Sequence, residues 1–384
     1  MTLPPIRPAV TDLQRVGSRE MEDWIELRRE QGRDVLKLRG GPVLRLPDHV
    51  RHAALAALDE PDRRPSRGLP ELREAISTAL ASEAGARVDA EREILITNGA
   101  MHALNIVLRT LVEAGDEVII PTPNYFFDGV VRLTGATPVY VPSDESGGWC
   151  WDFDRIEAAI SPRTRLIVFS NPTNPTGYLP TEDDLLRLME LGRQHGFRVL
   201  SDESYDRFVY DSAPFTSLAA LDGGDGRIVV RSLSKSHALA NWRIGYVIAE
   251  AGVSESFTKV LEWDCLHCGY VPQRVAQAAV AGSQDWLTGI PAIYQSNRDR
   301  LLAAVAESGW LSASKPAAAP FLFLNTARSE AATGRAGDQL LLDIGIPTVP
   351  GQFFGAPGHA RLPIGVDSAT LERLEELLAA FKPV

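Results

Sequence analysis

The chain has 384 residues, of which 45% are hydrophobic and 23% charged, an ordinary composition for a globular protein long enough to form two domains. A formal net charge of −11, without any long run of Lys or Arg, argues against nucleic acids and anionic membranes as partners and favours small molecules. The N-terminus has no signal-like apolar core, no segment approaches ~18 consecutive apolar residues, and three cysteines are too few for a disulfide framework, so we expect a cytoplasmic protein.

The N-terminal segment predicts an amphipathic helix over residues 18–31, with Ser18 as its N-cap, and a second helix over residues 71–84. From residue 93 onward, short β-branched runs alternate with helical patterns. This alternation predicts a doubly wound, largely parallel sheet. Its seven strands are expected at residues 93–97, 117–120, 137–141, 165–170, 198–202, 227–232 and 244–249.

The last part of the chain mixes helices with short strands at 321–324 and 361–364, which predicts a second, smaller α+β domain. We expect the large domain to span residues 45–272. The small domain would combine residues 1–44 with residues 273–384.

Polar motifs follow several of the predicted strands, at the sheet edge where α/β proteins bind ligands. Residues 98–101 (Asn-Gly-Ala-Met) open a helix, whose free N–H groups suit a phosphate, although a glycine there can also be only a turn. Asp202 ends an apolar run and needs a cationic partner if buried. Residues 171–177 (Asn-Pro-Thr-Asn-Pro-Thr-Gly) either form simple turns or belong to the same site.

The segment 231–245 places Lys235 on a turn directly after the sixth predicted strand, with Arg243 eight residues downstream. A lysine at this edge can form a Schiff base if its pKa is lowered by burial and by a nearby cation such as Arg243. The hydroxyls of Ser232 and Ser234, together with Arg243, would suit a phosphate.

These motifs together resemble the fold-type I pyridoxal-phosphate enzymes, specifically the class I/II aminotransferases of the aspartate aminotransferase superfamily. The resemblance covers about residues 35–380 and includes Ser-Leu-Ser-Lys at 232–235 and Trp-Arg-Ile-Gly at 242–245. Two positions depart from the family pattern. Asn241 stands where many relatives have glycine, and Arg63 stands where relatives usually carry a tyrosine that reaches the neighbouring subunit's phosphate group.

The resemblance assigns roles to residues of this chain. It implies a fold with a seven-stranded, mostly parallel sheet, pyridoxal 5'-phosphate as cofactor and Lys235 as the catalytic residue that binds it as a Schiff base. The other expected cofactor contacts are Ala100, Met101, Ser232 and Arg243 at the phosphate, Tyr125 stacked on the ring, Asn174 and Tyr205 at the phenolic oxygen, and Asp202 at the ring nitrogen. Arg361, Asn174 and Gly41 are expected to bind the substrate.

The resemblance implies an aminotransferase that moves an amino group between an L-amino acid and a 2-oxo acid. Elimination, replacement, cyclisation or oxygen-dependent oxidation on the same fold remain alternatives, as does a regulatory protein, which the intact site residues disfavour. Where dicarboxylate-specific relatives supply an arginine, this chain has Cys265 beside Glu262 and Asp264. A basic, arginine-like substrate is therefore a hypothesis, and a solvated helix charge at Asp264 is the alternative. We expect a homodimer and no metal, since Cys265 and Cys268 lack a second ligand pair.

Overall fold

The fold was analysed in a computed structural model that describes residues 6, 8–38, 40–42, 44–60, 65–125, 127–221 and 225–382. Its helices are α1 Pro8–Thr11, α2 Gly17–Glu30, α3 Asp48–Ala56, α4 Pro70–Ala84, α5 Ala100–Leu111, α6 Phe127–Thr134, α7 Phe153–Ala159, α8 Glu182–His195, α9 Leu233–Ser236, α10 Ala251–Cys265, α11 Tyr270–Ala281, α12 Ile290–Ser308, α13 Ala327–Thr333, α14 Gly337–Asp343 and α15 Ser368–Ala380. Its strands are β1 Ile94–Thr97, β2 Glu117–Thr122, β3 Thr137–Pro142, β4 Thr164–Ser170, β5 Arg198–Asp202, β6 Arg227–Ser232, β7 Gly245–Ala249, β8 Ser312–Ala313, β9 Phe321–Asn325, β10 Val349–Pro350 and β11 His359–Pro363.

Strands β1 to β7 form one sheet in the order β1-β7-β6-β5-β4-β2-β3. The pairs β2–β3, β2–β4, β4–β5 and β5–β6 are parallel, whereas β7 runs antiparallel to both of its neighbours. The predicted seven-stranded, mostly parallel sheet is confirmed. The central strands are buried along nearly their whole length because helices cover both faces, which accounts for their continuous apolar runs.

The antiparallel strand β7 joins two parts of the chain that lie far apart in the sequence. Gly245 is paired with Thr97 at the end of β1 and with Ser232 at the end of β6. The loop before α5 is therefore brought beside the segment that carries Lys235. Gly245 leaves room for this approach, since a Cβ atom there would lie 2.7 Å from the Arg231 carbonyl oxygen and 2.9 Å from the Ala100 nitrogen.

A second, antiparallel sheet has the order β10-β11-β9-β8, and its hydrophobic cluster is separate from that of the large sheet. Leu36 and Leu38 of the N-terminal segment pack against this second cluster. Val275, Ala276 and Ala279 of α11 belong instead to the first cluster. The domain division at residue 272 stays a prediction, and the packing of α11 favours a boundary further along the chain.

Two local features differ from the expectations. Helix α2 begins at Gly17 and has no side-chain N-cap, because the residue before it is Val16 rather than Ser18. Lys235 lies in the single helical turn α9 and not in an open turn; the side chain of Ser232 caps this turn by accepting a hydrogen bond from the Ser234 amide. Within the described ranges, every helix is too short or too polar to span a bilayer.

Candidate active site

A cavity of about 820 Å³ lies at the carboxyl edge of the large sheet, and the second sheet closes one side of it. The wall of the cavity contains nine of the predicted site residues, Ala100, Met101, Tyr125, Asp202, Tyr205, Ser232, Lys235, Arg243 and Arg361. The two remaining predicted residues contact members of this set. Asn174 is hydrogen-bonded to Arg361, and Gly41 lies against the Lys235 side chain.

Lys235 projects into the cavity from α9, immediately after β6. A Cβ atom on Gly41 would approach Lys235 Cδ to 2.7 Å, so the absence of a side chain at residue 41 makes space for the lysine. Burial lowers the pKa of Lys235 to about 8, and the positive charges of Arg361 and Arg243 act in the same direction. About a tenth of this amine is therefore neutral, and nucleophilic, at pH 7, far more than for a lysine with the usual pKa.

Asp202 is the last residue of β5 and is 6% exposed. Its carboxylate accepts hydrogen bonds from the Ser204 amide at 3.0 Å and the Ser204 hydroxyl at 2.5 Å. Burial raises the pKa of Asp202 to about 6, the neighbouring charge of Glu203 adds to the effect, and the two Ser204 hydrogen bonds oppose it. Among the described residues Asp202 has no cationic partner, so a protonated ligand atom would find a buried counter-ion here.

Arg361 lies in β11 and is buried, with 6% of its surface exposed. Its guanidinium carbon lies 4.4 Å from the ring centre of Phe321 and 4.9 Å from that of Phe354, while one terminal nitrogen donates to Asn174 Oδ1 at 2.9 Å. The two rings hold the guanidinium plane between them. The Arg361 Nε and Asn174 Nδ2 atoms have no hydrogen-bond partner within the described part of the chain.

The phosphate site expected at the start of α5 has the necessary geometry. Gly99, which precedes the helix, has φ = 83°, and a Cβ atom there would lie 2.6 Å from an Arg243 guanidinium nitrogen. Arg243 is exposed toward the cavity, and the register of β6 and β7 brings Ser232 to the same place. Backbone N–H groups, a hydroxyl and a guanidinium therefore converge as they do in anion sites.

Two tyrosines face the cavity near Asp202. The Tyr125 ring meets the Phe127 ring edge-on at a centroid distance of 5.7 Å, and the Tyr205 ring meets the Phe321 ring in the same way at 5.4 Å. Burial raises the pKa of both phenols, and the carboxylate of Asp202 contributes to each shift. Both phenols are therefore hydrogen-bond donors at neutral pH.

Sequence reasoning did not identify α2 as part of the site, although Val16, Arg19 and Glu22 line the cavity. Arg19 donates to Glu22 at 2.5 Å, one helical turn away. Spacing alone indicated only an amphipathic helix. Sequence reasoning also missed Ser204, which donates hydrogen bonds to Asp202. Its position could have indicated this role, because a serine two residues after a buried carboxylate can donate back to it.

Asp264 lies outside the cavity wall of its own subunit. It accepts a hydrogen bond from Arg109, and its carboxylate lies 3.6 Å from His102 Nε2. Its charge is therefore balanced by residues of α5. Asn241, the position of the first departure, lines the cavity, whereas Arg63 lies outside the described residues. In the described ranges no three His, Cys, Asp or Glu side chains cluster as metal ligands.

The unsatisfied atoms of this cavity fit pyridoxal 5'-phosphate. Buried donors without partners in the described chain, Asn174 Nδ2 and Ser234 Oγ, suit ligand oxygens. Asp202 suits a protonated ring nitrogen, and the start of α5 suits a phosphate. An amine with a lowered pKa, Lys235, faces the same space. Each polar part of the cofactor thus meets a group of opposite hydrogen-bonding or charge character.

Known proteins resemble this chain along almost its whole length. The family model for aminotransferase class I and II matches residues 34–378. An aspartate aminotransferase of Geobacillus stearothermophilus is 32% identical, covering 91% of this chain and 92% of the relative, and a probable N-acetyl-LL-diaminopimelate aminotransferase of Bacillus subtilis is 31% identical, covering 98% and 95%.

Solved structures agree with the sequence matches. The structure of an aspartate aminotransferase from Thermus thermophilus with maleate superposes with a TM-score of 0.91 at 28% identity, covering 98% of this chain and 99% of the other. The likeness therefore includes both sheets and the cavity between them. The chain belongs to the class I and II aminotransferases, enzymes of fold type I that depend on pyridoxal phosphate.

Proposed function

We propose that this enzyme transfers an amino group between an L-amino acid and a 2-oxo acid, with Lys235 as the residue that moves the proton at the substrate's Cα. The observation that carries the proposal is the presence of the Lys235 amine, with its lowered pKa, in one cavity with Asp202 and Arg361. Pyridoxal phosphate, when bound, supplies the electron sink that stabilises a carbanion at Cα. A neutral amine beside that carbon is a suitable general base.

The remaining cavity residues would hold the cofactor. Asp202 would keep the ring nitrogen protonated, because a buried carboxylate stabilises an adjacent cation. Tyr125 would stack on the ring, and Asn174 and Tyr205 would donate to the phenolic oxygen. The phosphate would bind the backbone of Ala100 and Met101 with the side chains of Ser232 and Arg243.

Arg361 would bind the substrate's α-carboxylate. Its guanidinium is fixed by Phe321, Phe354 and Asn174, so little conformational entropy remains to be lost on binding. Gly41 would line the same space, because it lies against the lysine side chain. A carboxylate paired with Arg361 would orient the amino group of the substrate toward Lys235.

For the substrate side chain, the proposal is a basic, arginine-like amino acid and not a dicarboxylate. Asp264, the residue that suggested this hypothesis, is already paired with Arg109 within the subunit and gives it little support. Glu22, unlike Asp264, lines the cavity, but its carboxylate accepts a hydrogen bond from Arg19 of the same helix. Arg19 lines the same cavity and would favour a substrate with an acidic side chain. The names of the relatives that are aspartate aminotransferases also point to an acidic substrate.

The proposal includes a homodimer. Trp263 is 90% exposed in the single subunit, and Leu58 and Leu266 are each 68% exposed, a level unusual for large apolar side chains on a finished surface. A second copy of the chain would cover them. Arg63, for which the sequence predicted a role between subunits, lies outside the described part of the chain.

The reaction is tested by supplying one substrate at a time to the purified, cofactor-loaded enzyme. Transamination predicts that an amino acid alone yields one equivalent of its 2-oxo acid per active site and changes the visible absorption of the cofactor. Addition of a second 2-oxo acid should restore that absorption and release a new amino acid. Ammonia release, a cyclised product or oxygen uptake would instead support the alternative reactions of the same fold.

A further inference from the structure

Three charged residues that the proposed mechanism does not use lie beside Asp202, two of them buried and the third, Asp206, partly buried. Glu203 is fully buried and Arg231 is 5% exposed. Arg231 donates to Glu203 Oε2 through Nε at 3.0 Å and a terminal nitrogen at 2.7 Å, and its other terminal nitrogen donates to Asp206 at 2.8 Å. We call Arg231, Glu203 and Asp206 the buried triad.

The buried triad connects the two strand ends that carry the site. Glu203 directly follows Asp202, and Arg231 directly precedes Ser232 and lies four residues before Lys235. The Glu203 amide also donates to the Val230 carbonyl at 2.8 Å. The ion pair therefore spans the carboxyl ends of β5 and β6, so a change at Arg231 would be transmitted to both sides of the cofactor site.

Glu203 is held by more than Arg231. Its two carboxylate oxygens also accept hydrogen bonds from the Ser217 hydroxyl at 2.7 Å and the Leu218 amide at 2.8 Å. Together with the two Arg231 donors, these bonds give Glu203 four hydrogen bonds. The carboxylate of Glu203 is therefore fixed in position by donors from two other segments of the chain.

The negative charge of Glu203 disfavours the ionised form of the adjacent Asp202. Two adjacent buried carboxylates disfavour each other's ionised form, and Glu203 indeed contributes to the raised pKa of Asp202. The other groups that face Asp202 are Ser204 on its own strand end, Tyr125 from the loop after β2, and Tyr205. None of these three groups is a cation. The cation that is paired with the neighbouring Glu203 is Arg231.

We propose that Arg231 is a positioning residue for catalysis, which neutralises Glu203 and thereby keeps Asp202 ionised against the ring nitrogen of the cofactor while holding Ser232 and Lys235 in place. This inference rests on the proposed role of Asp202. It explains why a full ion pair lies between two strands where an apolar pair would pack at less cost in desolvation.

The test measures the dissociation constant of pyridoxal phosphate as a function of pH. Affinity should fall in two steps as the pH is lowered, first near 8 as Lys235 gains a proton and then near 6 as Asp202 does, so the lower midpoint reports Asp202. In Arg231→Met, the uncompensated charge of Glu203 should move this midpoint to higher pH by about one unit, a tenfold loss of affinity near pH 6. In Arg231→Met/Glu203→Gln both charges are gone, and the midpoint should return to the wild-type position or below it.

Two further variants keep the test decisive if Arg231→Met does not fold. Glu203→Gln leaves Arg231 paired with Asp206 and should move the midpoint to lower pH. Arg231→Lys keeps the charge and should leave it in place. A triad that only stabilises the fold would instead weaken binding equally at every pH, without a shift of the midpoint in any variant, and that result would overturn the proposal.

Asp202→Asn separates this inference from the proposed function. If Asp202 faces the ring nitrogen, Asp202→Asn should weaken cofactor binding and abolish the acid midpoint. An unchanged binding curve in Asp202→Asn would overturn the role of Asp202 itself. A lost midpoint in Asp202→Asn, combined with unshifted midpoints in the Arg231 and Glu203 variants, would overturn only the role of the buried triad.

Discussion

At Lys235, burial and two neighbouring guanidinium groups act in one direction, because each of them disfavours the ammonium form. Among the described residues, no carboxylate is paired with this lysine to restore its charge. Asp202 and Glu22 line the same cavity, but the described hydrogen bonds pair them with Ser204 and Arg19. Removal of either arginine by substitution is therefore expected to raise the pKa of Lys235.

The first prediction concerns the titration of Lys235 in the cofactor-free protein. Labelling of Lys235 by a small amine-reactive reagent should increase with pH through a midpoint near 8, because only the neutral amine reacts. Arg361→Gln should move the midpoint to higher pH, since Arg361 is the larger of the two cationic contributions. Mass spectrometry of labelled peptides measures both, with the exposed Lys259 as internal reference. A midpoint that Arg361→Gln leaves unchanged would contradict the electrostatic explanation.

The second prediction concerns Glu22 and the substrate side chain. If Glu22 binds a distal cation, Glu22→Gln should lower kcat/KM for arginine about tenfold, or ~1.4 kcal/mol, and leave citrulline, its uncharged analogue, nearly unchanged. Arg19→Gln is the matched control, because it removes the cation one turn away. It should not lower kcat/KM for arginine. Efficient turnover of aspartate that Arg19→Gln abolishes would show that the substrate is acidic.

At the scale of elements, the site is built from strand ends, and the sequence predicted most of it. Asp202 ends an apolar strand, and Asn174 and Lys235 follow such strands within four residues, so their convergence at one sheet edge could be predicted without coordinates. Helix α2 could not be placed in this way, because its position depends on contacts with residues more than 300 positions away, such as the ion pair of Arg28 with Asp343. The pairing of Asp264 with Arg109, 155 residues apart, could not be predicted from the sequence either.

The third prediction tests the close approach of β6, β7 and the start of α5. Gly245→Ala would place a Cβ atom within 3 Å of backbone atoms of Arg231, Gly99 and Ala100, which cannot move independently. The free energy of unfolding should fall by about 1–3 kcal/mol, and the affinity for pyridoxal phosphate should fall with it.

The control for this substitution is Gly252→Ala. Gly252 lies in the first turn of α10, and a Cβ atom there would meet no atom within 4 Å. It should be neutral or stabilise the protein by up to about 1 kcal/mol. Urea unfolding monitored by fluorescence measures both variants. Equal stabilities of the two would mean that the sheet and α5 are not packed as tightly as described.

At the scale of the whole molecule, the cavity lies between the two sheets. The second sheet supplies Arg361, the first sheet supplies Asp202, and the helical turn α9 after β6 supplies Lys235. Residues of helix α2 also line this cavity. The subunit nevertheless leaves large apolar side chains exposed away from this cavity, which is the basis for expecting a second copy of the chain.

The fourth prediction is that Trp263→Glu dissociates the proposed homodimer. A carboxylate at a buried apolar interface would lose its hydration without gaining a partner, so association should weaken by at least a hundredfold. Multi-angle light scattering across a dilution series measures the mass. Ile293→Glu, at an exposed apolar residue of α12, serves as control and should remain dimeric. A wild-type monomer with full activity would contradict the dimer itself.

The pairing of β1 with β7 also has a consequence for biosynthesis. β1 is an edge strand of the large sheet, and among the described strands its apolar residues Ile94, Leu95 and Ile96 pair with residues 246–248 of β7 alone. A nascent chain emerging from the ribosome must carry this apolar strand, unpaired, until about 150 further residues have been translated. We therefore expect translation products that stop before β7 to aggregate or to be captured by chaperones, and premature termination to yield no partially functional enzyme.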